Sequence, residues 1–287
     1  MTSQLKNIHY FPGHMAKALA TLGPYFKASD LIVEVADARA PHSTRNPALS
    51  LLSGPKPRLL LLSKADRADP RVTEAWIASF AQEGLTAFSA DLKKEKLLAV
   101  LTKMSETLVY AKRAKESRLG MKKQPLRLAI AGIPNVGKST LINNLAGHAV
   151  VKAANTPGVT RSEQWINLSG DFVLLDTPGI LPMNYPDGSE AVRLALLGSI
   201  KEEVLPNEEL AYALIGYLQA EYPHSLKERF GIEDLSALDA DPILTKIAER
   251  RGYLAQGGAY DLSKAVKGLL KDFEDGILGN YSLERPV

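Results

Sequence analysis

Residues 126–140 read LRLAIAGIPNVGKST. A short apolar run of strand length enters Gly-x-x-x-x-Gly-Lys-Ser, and STLINNLAG (139–147) continues with helical spacing and a closing glycine. Strand, glycine-bearing loop and helix in that order predict a phosphate-binding loop. Gly132 and Gly137 permit the tight turn that aims backbone N–H groups at a β-phosphate. Lys138 then lies between β- and γ-phosphates as a point charge, and the Ser139 hydroxyl is placed to ligate Mg²⁺. Asn135, Val136, Gly137, Lys138, Ser139 and Thr140 are the expected phosphate cradle.

Two further stretches lie downstream in register with this loop. NTPGVT (155–160) offers Thr160 as a hydroxyl that closes over Mg²⁺ when a γ-phosphate is present. DTPG (176–179) comes after a strand-like FVLLD; Asp176 is placed to hold the Mg²⁺ shell, if need be through water, and the Gly179 N–H to sense the γ-phosphate. Alone, each is an ordinary turn. Together they predict a nucleoside triphosphatase with two switches, ordered by the γ-phosphate and released after hydrolysis.

A phosphate loop does not identify the base. Guanine is usually read by Asn/Thr-Lys-x-Asp downstream, but the nearest downstream match, LSKAV (262–266), has Val266 where the carboxylate is needed. The reader is upstream. Ser63-Lys64-Ala65-Asp66 ends the run LLLLSKAD, with Ser in place of Asn or Thr. Asp66 can accept from guanine N1–H and the exocyclic amine, donors that adenine lacks there. The Lys64 stem can lie over the base, and the Ser89 and Ala90 backbone in FSAD (88–91) can meet guanine O6. Base reader, phosphate loop, switch one and switch two therefore occur in circularly permuted order, which loop-closure entropy tolerates. Switch two then sits at the C-terminal boundary of this domain.

Beyond switch two the sequence changes character. Up to about residue 180, apolar runs such as LIVEVAD (31–37) and RLLLLS (58–63) alternate with helical patterns, which predicts a mostly parallel sheet covered by helices on both faces. INLSGDFVLLDT (166–177) predicts a hairpin, and helices are expected over 14–27, 72–84 and 93 to about 117. From Ser189 onward the patterns are helical only, separated by Pro and Gly. The fold class is α/β: a circularly permuted P-loop domain over 1–185, then an all-helical domain over 186–287.

Length and composition agree with this division. The chain has 287 residues, room for about two domains at roughly 150 residues each. With no cysteine, disulfides, thiol catalysis and Cys-ligated zinc are excluded. No apolar run approaches the roughly 18 residues of a membrane span, and the N-terminus lacks a signal peptide's apolar core, so a cytoplasmic protein is expected. Net charge is +3, unevenly spread: residues 1–188 carry 24 Lys/Arg against 15 Asp/Glu, the remainder 11 against 17. KRAKESRLGMKKQPLR (112–127) holds seven basic residues and one acidic, which suits either a solvated linker or a phosphate-rich partner.

The order SKAD, NVGKS, PGVT, DTPG resembles that of the circularly permuted ribosome biogenesis GTPase A family. The opening FPGHMAKA (11–18), DARAPHSTRNP (37–47) and the ending RRGYLAQGGAYDLSKAVKGLLKDFEDGILGNYSLERP (250–286) are similar to that family's too. The resemblance covers essentially the whole chain. It implies a GTPase, binding GTP and GDP, that acts in assembly of the large (50S) ribosomal subunit and contacts rRNA with its helical domain. Stimulation of turnover by that subunit, no DNA or membrane partner and a monomeric free state are further expectations. The Ser at 63 departs from the family's usual Asn.

Ile180 stands where many GTPases place a water-orienting Gln. His14 in FPGHM is the candidate to orient water instead, a role the resemblance also implies; a His opening a helix can equally be a solvated end residue. Asn135 resembles the residue that ligates K⁺ in potassium-dependent GTPases, and is also a residue tolerated in left-handed turns. Lys264, Lys267 and Lys271 share a helix face that is either an RNA contact or solvated. A rival reading is a signalling-type GTPase whose helical domain binds a protein.

Overall fold

The computed structural model describes residues 23–151, 164–168, 171–176, 188–200, 205–236 and 238–286, with backbone alone at 164, 165, 175 and 176. The centre is a six-stranded sheet: β1 (Leu31–Asp37), β2 (Arg58–Ser63), β3 (Thr86–Ala90), β4 (Leu126–Ala131), β5 (Gln164–Leu168) and β6 (Phe172–Asp176), in spatial order β3-β2-β1-β4-β6-β5. All neighbours are parallel except the hairpin β5–β6. The chain runs outward from β1 to β3, returns to β4, and proceeds the other way. The β1/β4 junction is therefore the topological switch point, where ligands of open α/β sheets bind beyond the strands' carboxyl ends.

Strand residues are apolar on both sides because both faces are covered. Leu31, Val33, Val35, Leu59, Leu61, Leu128 and Ile130 pack in one core with Leu101, Leu141 and Leu145. Ala36, Leu60 and Leu62 face the opposite way, onto Val72, Trp76 and Phe80. Those three belong to α2 (Pro70–Gln82), which comes after the short α1 (Pro47–Ser53). Both helices open on a proline after an accepting side chain: Asn46 takes the Ala48 N–H and Asp69 the Arg71 N–H. β1 also carries two buried carboxylates: Asp37 at its end and, midway, Glu34, which is gripped by Arg45 at 3.0 and 3.2 Å, with Arg58 at 3.8 Å.

The helix expected over 93–117 is two, α3 (Leu98–Leu108) and α4 (Tyr110–Arg118), separated at Val109. It starts late because Asp91 accepts the Lys93 N–H and its carbonyl the Glu95 N–H, so 91–95 form a turn of their own. The phosphate-loop helix is α5 (Lys138–Ala146), ended by left-handed Gly147.

The helical domain comprises α6 (Gly188–Leu196), α7 (Asn207–Glu221), the one-turn α8 (Lys227–Phe230), α9 (Ala240–Arg251) and α10 (Leu262–Asp275). Leu210, Leu214 and Leu218 on α7, Ile243 and Ile247 on α9, and Val266, Leu269 and Phe273 on α10 meet at helical spacing in a separate core. Ala40, from the loop after β1, packs into that core, while Ala191 and Leu194 of α6 pack into the sheet's. Among the described residues no helix is long and apolar enough to cross a membrane.

Candidate functional site

The carboxyl ends of β4, β1, β2 and β3 bring three segments together: residues 132–137, 37–46 and 63–66 with Ser89 and Ala90 beside them. In the ladder Ser63 lies opposite Asp37 on one side and Ala90 on the other, and Leu62 opposite Ser89.

The phosphate loop is shaped by its glycines. Gly132 has φ +152°, and a Cβ there would stand 2.4 Å from the Val35 carbonyl oxygen. Gly137 has φ +100°, with Leu92 Cδ1 3.0 Å and Ser63 Oγ 3.5 Å from its own hypothetical Cβ. Asn135 between them is left-handed at φ +60°. Lys138 is buried and donates to the Ile133 carbonyl at 2.8 Å, so its ammonium folds back over the loop. Ser139 and Thr140 are half-buried in the first turn of α5. Asn144 anchors that helix to the segment after β3, donating to the Leu92 and Glu95 carbonyls at 2.9 and 2.6 Å and accepting the Leu97 N–H.

Ser63 joins the end of β2 to the loop after β4. Fully buried, its Oγ lies 2.5 Å from the Val136 carbonyl oxygen and 3.0 Å from that of Ala36. A hydroxyl has one proton to donate, so it serves one carbonyl at a time. Through it a short polar link connects the end of β2 to the loop after β4.

Lys64 adopts left-handed φ +54°, and its ammonium sits 2.9 Å from Asp37 Oδ2. Arg39 grips the same carboxylate through Nε and Nη2 at 3.0 and 2.8 Å and is only 1% exposed. Burial alone would raise the Asp37 carboxyl; the Arg39 guanidinium and then Lys64 overcome it and hold it far below the usual carboxylate range. Burial pushes the Lys64 ammonium below its ordinary value, with Asp37 opposing and Arg39 assisting. Asp66 remains partly exposed, with Arg67 Nε 3.7 Å from its Oδ2.

Side-chain contacts tie this end of the sheet to the turn after α6 and to α6 itself. Asn135 Nδ2 donates to the Gly198 carbonyl at 2.6 Å, in the turn after α6. Arg193 of α6 donates to Ser43 Oγ at 3.1 Å, and Ser43 in turn donates to Glu284 at 2.6 Å. Of the residues expected at the site, His14, Thr160 and Gly179 lie outside the described residues. Asp176 ends β6 opposite Ile130 of β4, with its backbone alone described. Asp37, Arg39 and Arg67 were not singled out by sequence reasoning; the signal available was the DARAP stretch at the end of an apolar strand.

The basic stretch is largely committed internally. Lys112 pairs with Asp30 at 2.6 Å, Arg113 with Glu116 and Glu106 at 2.8 and 3.2 Å, Lys123 with Glu106 at 2.6 Å, and Arg127 with Asp30 at 3.5 Å. Lys115, Arg118 and Lys122 are exposed, as are Tyr110, Leu119 and Met121.

Known proteins resemble this chain in sequence and fold. A family model described as 50S ribosome-binding GTPase matches residues 127–220. Ribosome biogenesis GTPase A of Priestia megaterium is 37% identical over 280 residues, covering 97% of both chains. That of Bacillus cereus is 38% identical, covering 97% of this chain and 94% of its own. GNP-bound YlqF from T. maritima superposes with TM-score 0.65 at 27% identity, over 94% of this chain and 98% of that one. A GDP-bound structure of TM YlqF gives 0.67, over 93% and 99%. By identity and full-length coverage, the chain belongs to the ribosome biogenesis GTPase A family.

Proposed function

We propose that this protein hydrolyses GTP as an assembly factor of the large (50S) ribosomal subunit, binding pre-ribosomal rRNA with GTP and leaving after hydrolysis. The observation that supports the reading is the 2.5 Å approach of Ser63 Oγ to the Val136 carbonyl, which brings the SKAD stretch next to the Gly-x-x-x-x-Gly-Lys-Ser loop. The names of the full-length relatives support the partner.

In this reading Asp66 reads guanine N1–H and the exocyclic amine, Lys64 lines the base, and Ser89 and Ala90 offer backbone to O6. Residues 135–140 cradle the phosphates, with Lys138 turning from the Ile133 carbonyl to the β- and γ-phosphates. Ser139, Thr160 and Asp176 would hold Mg²⁺. Ser139 and the end of β6 lie at the same edge of the sheet, and hydroxyl and carboxylate oxygens suit that ion. Mg²⁺ supplies charge neutralisation across the β- and γ-phosphates. Because Ile180 cannot hydrogen-bond water, His14 orients the attacking water. Asn135 helps place K⁺ against the phosphates, its amide oriented by the Gly198 carbonyl. Residues 1–185 form the GTPase domain and 186–287 the helical rRNA-contacting domain of a cytoplasmic protein, monomeric when free. Lys115, Arg118 and Lys122 supply cations for phosphate contact that no carboxylate of the described residues takes up in an ion pair.

The test is GTP turnover by purified protein with large subunits, small subunits or neither, each in K⁺ and in Na⁺. Stimulation by large subunits alone, greater in K⁺ and lost in His14→Ala, is expected. No response to either subunit would remove the assembly role, equal rates in K⁺ and Na⁺ the cation, and full stimulated turnover of His14→Ala the histidine.

A further inference from the structure

Both side chains assigned to the base are braced from behind by the C-terminal end of α10. One relay runs from Lys64 to Asp37 at 2.9 Å, and from Asp37 to the Arg39 fork. Arg39 Nη1 continues to the Phe273 and Glu274 carbonyls at 3.5 and 3.4 Å. The other runs from Asp66 to Arg67 at 3.7 Å, and Arg67 Nη1 donates to the same Glu274 carbonyl. The last carbonyls of a helix have no partner within it and carry the negative end of its dipole, so two guanidinium groups are well matched there.

The tail beyond α10 repeats the pairing through the backbone. The Leu283 N–H donates to the Arg39 carbonyl at 2.6 Å, and the Tyr281 N–H to the Arg67 carbonyl at 3.1 Å. Each arginine thus holds the helical domain twice, once by side chain and once by main chain. Gly276, which caps α10 at φ +74°, lets this close approach occur: a Cβ there would meet Arg67 Cγ at 2.9 Å. Ser282 Oγ and the Glu284 carbonyl extend the seam, accepting the Asp69 N–H at 3.2 Å and the Trp76 indole N–H at 3.3 Å.

We propose that Arg39 and Arg67 are positioning residues for guanine recognition, through which the end of α10 and the tail hold Lys64 and Asp66 in reading geometry. The helical domain then contributes to base selectivity without touching the base. The inference rests on the guanine-site reading above. By linkage, base binding must in turn tighten the seam.

The experiment uses the full chain and two nucleotides, GDP and IDP, which differ only in the exocyclic amine that Asp66 reads. Arg67→Ala is expected to weaken GDP about tenfold and to shrink the GDP-to-IDP affinity ratio, with Arg67→Lys restoring part of both. Gly276→Ala, which pushes on the Arg67 stem from the helical side, should shift the ratio the same way. A merely structural role would lower melting temperature and leave the ratio unchanged, and that result would overturn the proposal. Hydrogen exchange of the unmodified protein decides independently of variant folding: GDP should slow exchange at both 63–66 and 273–284. Slowing at 63–66 alone overturns the coupling and leaves the guanine site standing. No slowing at 63–66 removes the guanine site and this inference with it.

Discussion

Replacing Ser63 by alanine takes one oxygen out of a fully buried position between two carbonyls. The lost bond is worth about 1 kcal/mol net, because only one carbonyl is served at a time. Val136 lies in the phosphate loop and outside any sheet ladder, so its carbonyl then has to find a replacement partner, and total cost rises to about 1–2 kcal/mol. The volume change is a single atom, which keeps any cavity contribution small. If the bond orders the phosphate loop ahead of binding, the cost appears as weaker nucleotide affinity, about 5- to 30-fold in GDP dissociation constant. Isothermal calorimetry with GDP measures this, and thermal unfolding separates it from global loss. An affinity within about twofold of the parent, alongside a lowered melting temperature, would refute the role of Ser63 as the brace between base reader and phosphate loop.

Asp37→Asn strips the buried Arg39 and the half-buried Lys64 of their shared carboxylate and is expected to destabilise by about 3–5 kcal/mol at neutral pH. Since the folded Asp37 binds its proton less readily than the unfolded residue, the advantage of the parent is whole above about pH 4 and fades in stronger acid; melting curves of both proteins against pH check the sign. Gly132→Ala forces a Cβ onto the Val35 carbonyl and should lower the melting temperature by about 6–12 °C, and a drop of under about 2 °C would mean the loop can move aside. Arg113→Ala should cost about 1 kcal/mol of stability while leaving the salt dependence of rRNA binding unaltered, whereas Lys115→Ala with Lys122→Ala should flatten that dependence; filter binding across a salt series distinguishes them.

Much of the fold could be read from sequence because its signals are local. LIVEVAD and RLLLLS are short apolar runs ending in polar residues, and the strand into GIPNVGKS leaves little freedom for its surroundings. Short elements give weaker signals. TAFSA (86–90) is too brief and too mixed to announce β3, and α1 depends on an Asn-Pro cap rather than on periodicity. Residues 112–127 show where positive charge is dense but not that Asp30 and Glu106 absorb it. Asp37 and Arg39 are visible as letters, yet their meaning needs Lys64 on one side and the end of α10, more than 230 residues away, on the other. Long-range pairs of this kind leave no periodic trace.

The place of Glu34 acquires a meaning when the chain is considered in the order in which it is made. β1, β2 and β3 leave the ribosome first and can pair at once, but the other neighbour of β1 is β4, joined in register Leu31 to Leu128. Until β4 arrives, a strand that is buried along its whole length in the finished sheet is an open edge, the kind of surface on which nascent chains aggregate. A carboxylate midway along that edge opposes pairing with a stranger. Arg45 and Arg58 lie earlier in the chain than β4, so the carboxylate that puts charge into the open edge is held in place before the strand that finally covers it is made.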